Sequence, residues 1–185
     1  MTSRIKFLMM LGVFAVPMIA AWVSYYGWHP DKRRNYGELL PVTPLKHTGG
    51  TLLNGEAFRL EQLQGKWVMT YVGSSACNEA CSRQLYYMRQ VRIAQGKDQD
   101  RVERLWVITD AGTPDAVLLN SHPGLKVWRA GKAGFAKQFP MEHVGATHIF
   151  LVDPLGNLML RFPEQTDPKG MIKDLKLLLK ASQIG

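Results

Sequence analysis

Cysteine is scarce in this sequence, and the scarcity excludes one class of small protein. Only two cysteines occur among 185 residues, too few for a fold held together by a disulfide scaffold. Internal repeats and low-complexity tracts are also absent. Apolar residues make up 46% of the chain, as in globular rather than disordered proteins. The chain is therefore expected to build one domain around an ordinary hydrophobic core.

Several familiar chemical motifs are missing as well. The sequence has no glycine-rich phosphate loop, no zinc-protease motif and no nucleophile elbow. Its formal net charge is +8, but the basic residues form no recognisable nucleic-acid motif. The charge instead favours contact with anionic lipid head groups or an acidic partner. No nucleic-acid partner and no small-molecule substrate are predicted.

Residues 1–28 are predicted to be an N-terminal membrane anchor. The uncharged apolar run Phe7–Trp28 has the ~20 residues that a helix needs to cross a bilayer. A cleaved signal peptide is the alternative, but the run is long for one and Ala20–Trp22 is a poor cleavage site. Basic residues flank both ends, so charge does not decide the orientation. The cysteine chemistry below places the domain outside the cytoplasm.

The rest of the chain divides into a linker at 29–50, rich in proline and glycine, and a domain at 51–185. The predicted elements of the domain are a hairpin turn at 53–56, strands at 66–72, 105–109, 147–152 and 158–162, and helices at 77–95, 113–115 onward, 132–139 and 168–181. Strand–helix–strand units indicate an α/β fold with a partly parallel sheet covered by helices. The last hairpin adds antiparallel strands.

The two cysteines, Cys77 and Cys81, lie where a buried strand gives way to a helix. A helix N-terminus favours the thiolate at Cys77, and the thiolate is both the nucleophile and the metal ligand. Residues four apart share a helix face, with Cβ atoms ~5–6 Å apart. Two sulfurs so placed hold a soft cation, Cu(I) or zinc, or close a disulfide. The alternative is a pair of unreactive core cysteines.

At this point the sequence resembles the Sco/SenC family of membrane-anchored copper chaperones for cytochrome c oxidase. The resemblance rests on Asn35–Gly37, Gly65–Trp67, Cys77, Cys81 and Ile149–Gly156, and covers roughly 35–180. It implies a thioredoxin-like fold on the periplasmic or intermembrane side. It also implies delivery of Cu(I) to the copper-binding subunit of the oxidase, or reduction of that subunit's cysteines.

The chain departs from the family pattern near the cysteines and near the late histidine. Asn78 stands where the family usually has proline, and the family histidine aligns with Gly145. His143 lies two residues earlier and is the predicted third metal ligand; His148, three residues later, is the alternative. The aspartate-rich segment of the family is also reduced, at 109–115.

Other soft or titratable side chains receive minor roles. Met141 is a conceivable soft ligand beside His143, whereas linker and loop positions are predicted for three histidines: His29, His47 and His122.

Three functions remain open. The pair binds Cu(I) as cargo, or Cys77 attacks a partner disulfide and Cys81 resolves it, or the fold serves assembly without chemistry. The chain is an enzyme only in the second case, as a thiol–disulfide oxidoreductase.

Overall fold

The computed structural model describes residues 3–27, 35–46, 49–131, 134–142, 145, 147–182 and 184. The chain forms two compact units, Met1–Arg34 and Asn35–Gly185. In the first, helix α1 spans Ser3–Gly27, contains no buried residue and has a mean hydropathy of 2.1 over its most apolar window. By length and composition α1 can cross a membrane, so the predicted apolar helix is confirmed.

The second unit is a mixed sheet with helices against it. Its described elements are β1 (Glu38–Pro44), β2 (Gly49–Leu52), β3 (Ala57–Arg59), β4 (Trp67–Gly73), α2 (Glu79–Ile93), β5 (Val102–Ile108), α3 (Ala116–Asn120), β6 (Lys126–Ala130), β7 (Ile149–Val152), β8 (Asn157–Phe162) and α4 (Pro168–Ala181). The strand order is β1-β8-β7-β4-β5-β6-β2-β3. Strands β4, β5 and β6 run parallel and the remaining pairs antiparallel. The predicted α/β sheet is confirmed.

Hydrophobic clusters cover both faces of the sheet. Met69 and Trp106 lie on one face, in a cluster that includes residues of α2 and α4. Val68, Val107 and Phe150 lie on the other face. Since β4 and β5 are buried on both sides, most of their residues are apolar, and Leu105–Ile108 of β5 forms an unbroken apolar run. All buried members of both clusters lie at or after Leu45, and the partly buried Leu40 of β1 also packs against the second cluster, so the second unit has its own core without α1.

The predicted linker at 29–50 is wrong for much of its length, because 38–44 form β1 and Gly49 begins β2. Strand β1 pairs antiparallel with β8 at an edge of the sheet. Six of its seven residues are exposed, so the strand has no apolar alternation to mark it. Residues 28–34 and 47–48, including Trp28, His29 and His47, lie outside the described residues.

A buried carboxylate fixes the start of the domain to its last helix. Asp174 of α4, 2% exposed, accepts hydrogen bonds from the backbone N–H groups of Tyr36 (3.0 Å) and Gly37 (2.8 Å). The Tyr36 hydroxyl accepts a bond of 2.7 Å from the N–H of Asp167. The Tyr36 ring also stacks on Phe162. The compact domain therefore begins near residue 35 rather than at 51.

The structure differs from the sequence-based expectation at two other places, a missed strand and a wrongly predicted helix. Strand β6 was not predicted, and it pairs with β5 on one side and β2 on the other. The helix predicted at 132–139 is wrong in its described part, which contains only a 3-10 turn at Ala136–Gln138. Rings on either side of this turn pack inward, with Phe135 against Trp128 and Phe139 against Phe150. These aromatic contacts, rather than helix periodicity, fix the segment.

His122 lies in the predicted loop position but is buried among cations. Arg89 donates to the carbonyl of Ser121, and Arg104 donates to the carbonyl of Pro123. Burial lowers the pKa of His122, and the neighbouring Arg104 and Arg89 lower it further. Burial likewise lowers the pKa of Arg104 to about 10.

We expect the stability of the domain to fall in acid through His122. The unfolded chain protonates this imidazole near its ordinary pKa of 6.5, whereas the folded chain protonates it only at lower pH. The unfolded state therefore binds more protons, and the free energy of unfolding declines as the pH drops below about 6.5. Urea denaturation between pH 5 and 8 measures this decline. It should be shallower in His122→Gln, and identical slopes would contradict the expectation.

Candidate functional site: the Cys77–Cys81 disulfide

Cys77 and Cys81 are joined by a disulfide at the carboxyl end of the central strand β4, with their Cα atoms 5.3 Å apart. Helix α2 begins at Glu79, two residues later than predicted. Asn78 caps it, because its side-chain oxygen accepts a hydrogen bond of 2.9 Å from the N–H of Cys81. Cys77 thus precedes the helix and Cys81 lies in its first turn. The two cysteines singled out from the sequence are therefore bonded to each other across the start of α2.

The two sulfurs differ in accessibility. Cys81 is 3% exposed and packs in the hydrophobic cluster under α2, whereas Cys77 is half-buried. A partner thiol reaches Cys77 far more easily than Cys81. After reduction, the free N–H groups and positive partial charge of a helix N-terminus favour a thiolate next to α2. The arrangement therefore gives the two sulfurs unequal access to a partner.

A carboxylate from the neighbouring strand holds the loop before Cys77. Asp110 follows β5 and accepts hydrogen bonds from the Ser74 hydroxyl (2.5 Å) and the Ser75 N–H (3.0 Å). The Ser74 hydroxyl oxygen in turn accepts a bond from the N–H of Ala76. These bonds, chiefly that from Ser74, lower the pKa of Asp110 to about 2. Asp110 was not predicted as a site residue, because its partners lie some 35 residues earlier in the chain.

We expect the Asp110 contacts to persist into strong acid. A carboxyl with a depressed pKa contributes stability above its ordinary value of 3.8 and loses it only as the pH falls towards about 2. The Ser75 amide signal in NMR spectra should therefore titrate near pH 2. It should move and exchange faster with solvent in Asp110→Ala. A midpoint near 3.8 would contradict the contact.

Three clefts surround the disulfide, and the largest lies on the side of Cys81. It measures about 850 Å³ and is lined mainly by apolar groups, among them Tyr71, Phe139 and Met141. Gly145 also lines it, with a φ of +88° that favours glycine. Burial, followed by the charge of Glu164, raises the pKa of Tyr71 to about 12, so its hydroxyl stays protonated at neutral pH.

Neither histidine predicted as a third metal ligand is seen beside the cysteine pair among the described residues. His143 lies outside the described residues. His148 is 2% exposed and directs its Nδ1 atom to the carbonyl oxygen of Phe162 at 3.0 Å. Its Nε2 atom lies 3.9 Å from the Glu142 carboxylate, and His148 does not line the cleft beside Cys81. Among the described residues, no group of three or more histidine, cysteine, aspartate or glutamate side chains can hold a metal.

Residues 67–182 match the family model described as the transmembrane-like, thioredoxin-like, C-terminal domain. The chain belongs to this family. The match begins with β4 and ends just beyond α4, so it contains the disulfide and the central strands. No curated protein matches the chain.

Solved structures of similar fold include two Sco proteins. ScoI of Bradyrhizobium japonicum with copper bound is 24% identical, with a TM-score of 0.56, and the match covers 73% of this chain and 99% of that one. Apo Sco1 of Thermus thermophilus is 21% identical, with a TM-score of 0.58 and coverage of 80% and 96%. At these identities the likeness shows the fold, and at that level it confirms the predicted Sco/SenC resemblance.

A third solved structure of similar fold belongs to an oxidoreductase. The thioredoxin domain of a thiol–disulfide oxidoreductase from Bacteroides vulgatus is 16% identical, with a TM-score of 0.57. The match covers 76% of this chain and 99% of that domain. The thioredoxin-like fold predicted from the Sco/SenC resemblance is therefore confirmed.

Proposed function

We propose that the chain is a membrane-tethered thiol–disulfide oxidoreductase whose Cys77–Cys81 pair exchanges with the cysteines of a partner protein. One observation carries the proposal. The pair forms a disulfide at the start of α2 with Cys77 half-buried and Cys81 fully buried. A two-step exchange requires this asymmetry, because the first sulfur must meet the partner and the second must wait in reach of the first.

The exchange reduces the partner and oxidises the pair. The Cys77 thiolate attacks one sulfur of a partner disulfide, forms a mixed disulfide and releases the partner's other sulfur as a thiolate. The Cys81 thiolate then attacks the Cys77 sulfur, and the bond between Cys77 and the partner breaks. The products are the Cys77–Cys81 disulfide and a partner with both thiols free. A dithiol donor protein must return the pair to its reduced form.

The partner that we propose is the copper-binding subunit of cytochrome c oxidase, met on the periplasmic or intermembrane side. Support comes from the shared fold with Sco proteins, one of which holds copper, and from the apolar helix α1. A Sco protein of this fold is also described as a cytochrome c oxidase assembly protein with a disulfide switch. Disulfides persist outside the cytoplasm, which fits that side.

Equilibration with glutathione tests the oxidoreductase proposal. A fragment of residues 29–185, which contains the whole second unit, is held in buffers of varied thiol-to-disulfide ratio, alkylated and analysed by mass. We expect one reversible two-electron transition between the dithiol and the Cys77–Cys81 disulfide. A pair that remains oxidised at every ratio, or does not re-form its disulfide, would contradict the proposal.

Binding of Cu(I) as cargo is the second candidate, favoured by the soft sulfur of Met141 in the cleft beside Cys81. Reduction of the disulfide provides two soft thiolates, and Met141 or His143 would complete the ligand set. Anaerobic Cu(I) titration of the reduced fragment against a chelator tests this function. Binding should be lost in Cys77→Ser and weakened in Met141→Leu or His143→Ala. Copper retained by a double serine variant would exclude the site.

A further inference from the structure

The two cysteines face different clefts. Cys77 lines a cleft of about 540 Å³ along α2 and another of about 800 Å³ towards α3, whereas Cys81 lines neither. Conversely, Cys81 lines the apolar cleft of about 850 Å³ and Cys77 does not. A thiol attacks a disulfide at one chosen sulfur. A partner that exchanges with Cys77 must therefore approach through the first two clefts and not through the largest one.

The two clefts of Cys77 form one surface. Both are lined by Cys77, Asn78 and Ser82, so they meet at the reactive sulfur. Each end has an apolar element: Tyr86 and Tyr87 on the α2 side and Leu118 on the α3 side. Tyr86 is 51% exposed, because it does not belong to the buried face of α2. Tyr87 and Leu118 are partly buried and also pack against the core, so each presents only part of its side chain to the clefts. Apolar groups that line clefts on both sides of a reactive atom are typical of a binding surface.

The charged residues of this surface favour some partner segments over others. Glu79 lies at the α2 end beside Arg83, and Asp115 lies at the α3 end. The Asp115 carboxylate already accepts a hydrogen bond from the N–H of Leu118, and it has no basic neighbour among the residues that line its cleft. An acidic segment would meet like charge at this end. The surface suits a neutral or basic segment.

We propose that these two clefts, here named the Cys77 groove, bind an extended segment of the partner with an apolar side chain on each side of its cysteine. The segment crosses Cys77 with one apolar side chain on the Tyr86–Tyr87 pair and the other against Leu118. This docking rests on the proposed oxidoreductase function and names its substrate class: a cysteine flanked by apolar, non-acidic residues. The segment brings its sulfur to the Cys77 sulfur and leaves Cys81 covered.

Rates of disulfide reduction by matched thiol probes test the groove. The oxidised 29–185 fragment is mixed with dithiothreitol, with a leucine–cysteine–leucine peptide, or with a glycine–cysteine–glycine peptide, both capped at the ends. We expect the leucine peptide to react roughly tenfold faster than the glycine peptide, since burial of apolar side chains favours the encounter complex. Tyr86→Ser should remove most of this advantage when each peptide rate is taken relative to the dithiothreitol rate of the same variant.

Control variants distinguish peptide binding in the Cys77 groove from the reactivity of the disulfide itself. Ile93→Ser changes an equally exposed residue of α2 outside the groove and should preserve the preference for the leucine peptide. Leu118→Ala should reduce the preference, and Tyr86→Ser keeps the test valid if Leu118→Ala does not fold. Equal peptide rates, or a preference that survives Tyr86→Ser, would overturn the groove. So would a concentration-dependent dimer that Tyr86→Ser dissolves. Failure of dithiothreitol to reduce the disulfide would instead reject the oxidoreductase function.

Discussion

A Cys81→Ser variant is expected to accumulate covalently linked to its partner in the cell, whereas the wild-type chain shows almost no such adduct. Without the Cys81 sulfur the mixed disulfide at Cys77 cannot be resolved, so it persists until an outside thiol attacks it. Acid quenching followed by non-reducing electrophoresis would show an adduct that reductant removes. Mass spectrometry of the band identifies the partner and the cysteine that is bonded to Cys77.

The matched controls define the chemistry of this adduct. Cys77→Ser and the double serine variant should form none, because the accessible nucleophile is missing while the membrane helix and the fold are kept. Asn78 is unchanged in all three variants, and Cys77→Ser also keeps the buried face of α2, to which Cys81 belongs. An adduct of equal abundance in Cys77→Ser would assign the attack to Cys81, and the absence of any adduct in Cys81→Ser would count against thiol exchange in cells.

Asp174→Ala is expected to cause the largest loss of stability among single polar substitutions in the domain, about 3 kcal/mol. Its carboxylate accepts two backbone hydrogen bonds, from Tyr36 and Gly37, and hydrogen bonds to a charged group contribute ~1.5–3 kcal/mol each. Alanine leaves those N–H groups without their acceptor next to the core. Urea denaturation of the 29–185 fragment measures the change in the free energy of unfolding.

The exposed neighbour provides the control for this substitution. Lys173→Ala lies on the solvent side of α4 and should change stability by less than ~0.5 kcal/mol. Hydrogen exchange gives a second measurement: the amides of β1 should lose protection in Asp174→Ala while those of β4 change less. A loss of under ~1 kcal/mol, or unchanged exchange in β1, would contradict the role assigned to the carboxylate.

The parts of the fold that the sequence predicts are those governed by local pattern. Strands β4, β5 and β7 lie inside the sheet and each contains a run of apolar residues, and the Asn54–Gly55 turn supplies the positive φ that a hairpin needs. Helix α4 has the predicted bounds because proline starts it and its apolar residues repeat with helical period. In each case the signal lies within a few neighbouring residues.

The elements that sequence reasoning missed depend on distant partners. Strand β1 is an exposed edge strand stabilised by β8, more than a hundred residues away in the chain, and β6 carries charged residues among its apolar ones. At the site, the position of the cysteine pair was predicted. The sequence pattern places the start of α2 two residues too early, because Asn78 caps the helix rather than lying within it. The unequal burial of the two sulfurs also arises only from packing.

Competitive alkylation of the reduced fragment tests the central claim most directly. The 29–185 chain is reduced, freed of reductant and treated at neutral pH with less than one equivalent of iodoacetamide, and the labelled cysteine is identified by peptide mass. The account predicts that Cys77 carries nearly all of the label, since Cys77 is only half-buried beside the N-terminus of α2 and Cys81 is fully buried. Equal labelling, or faster labelling of Cys81, would contradict the assignment of Cys77 as the attacking sulfur.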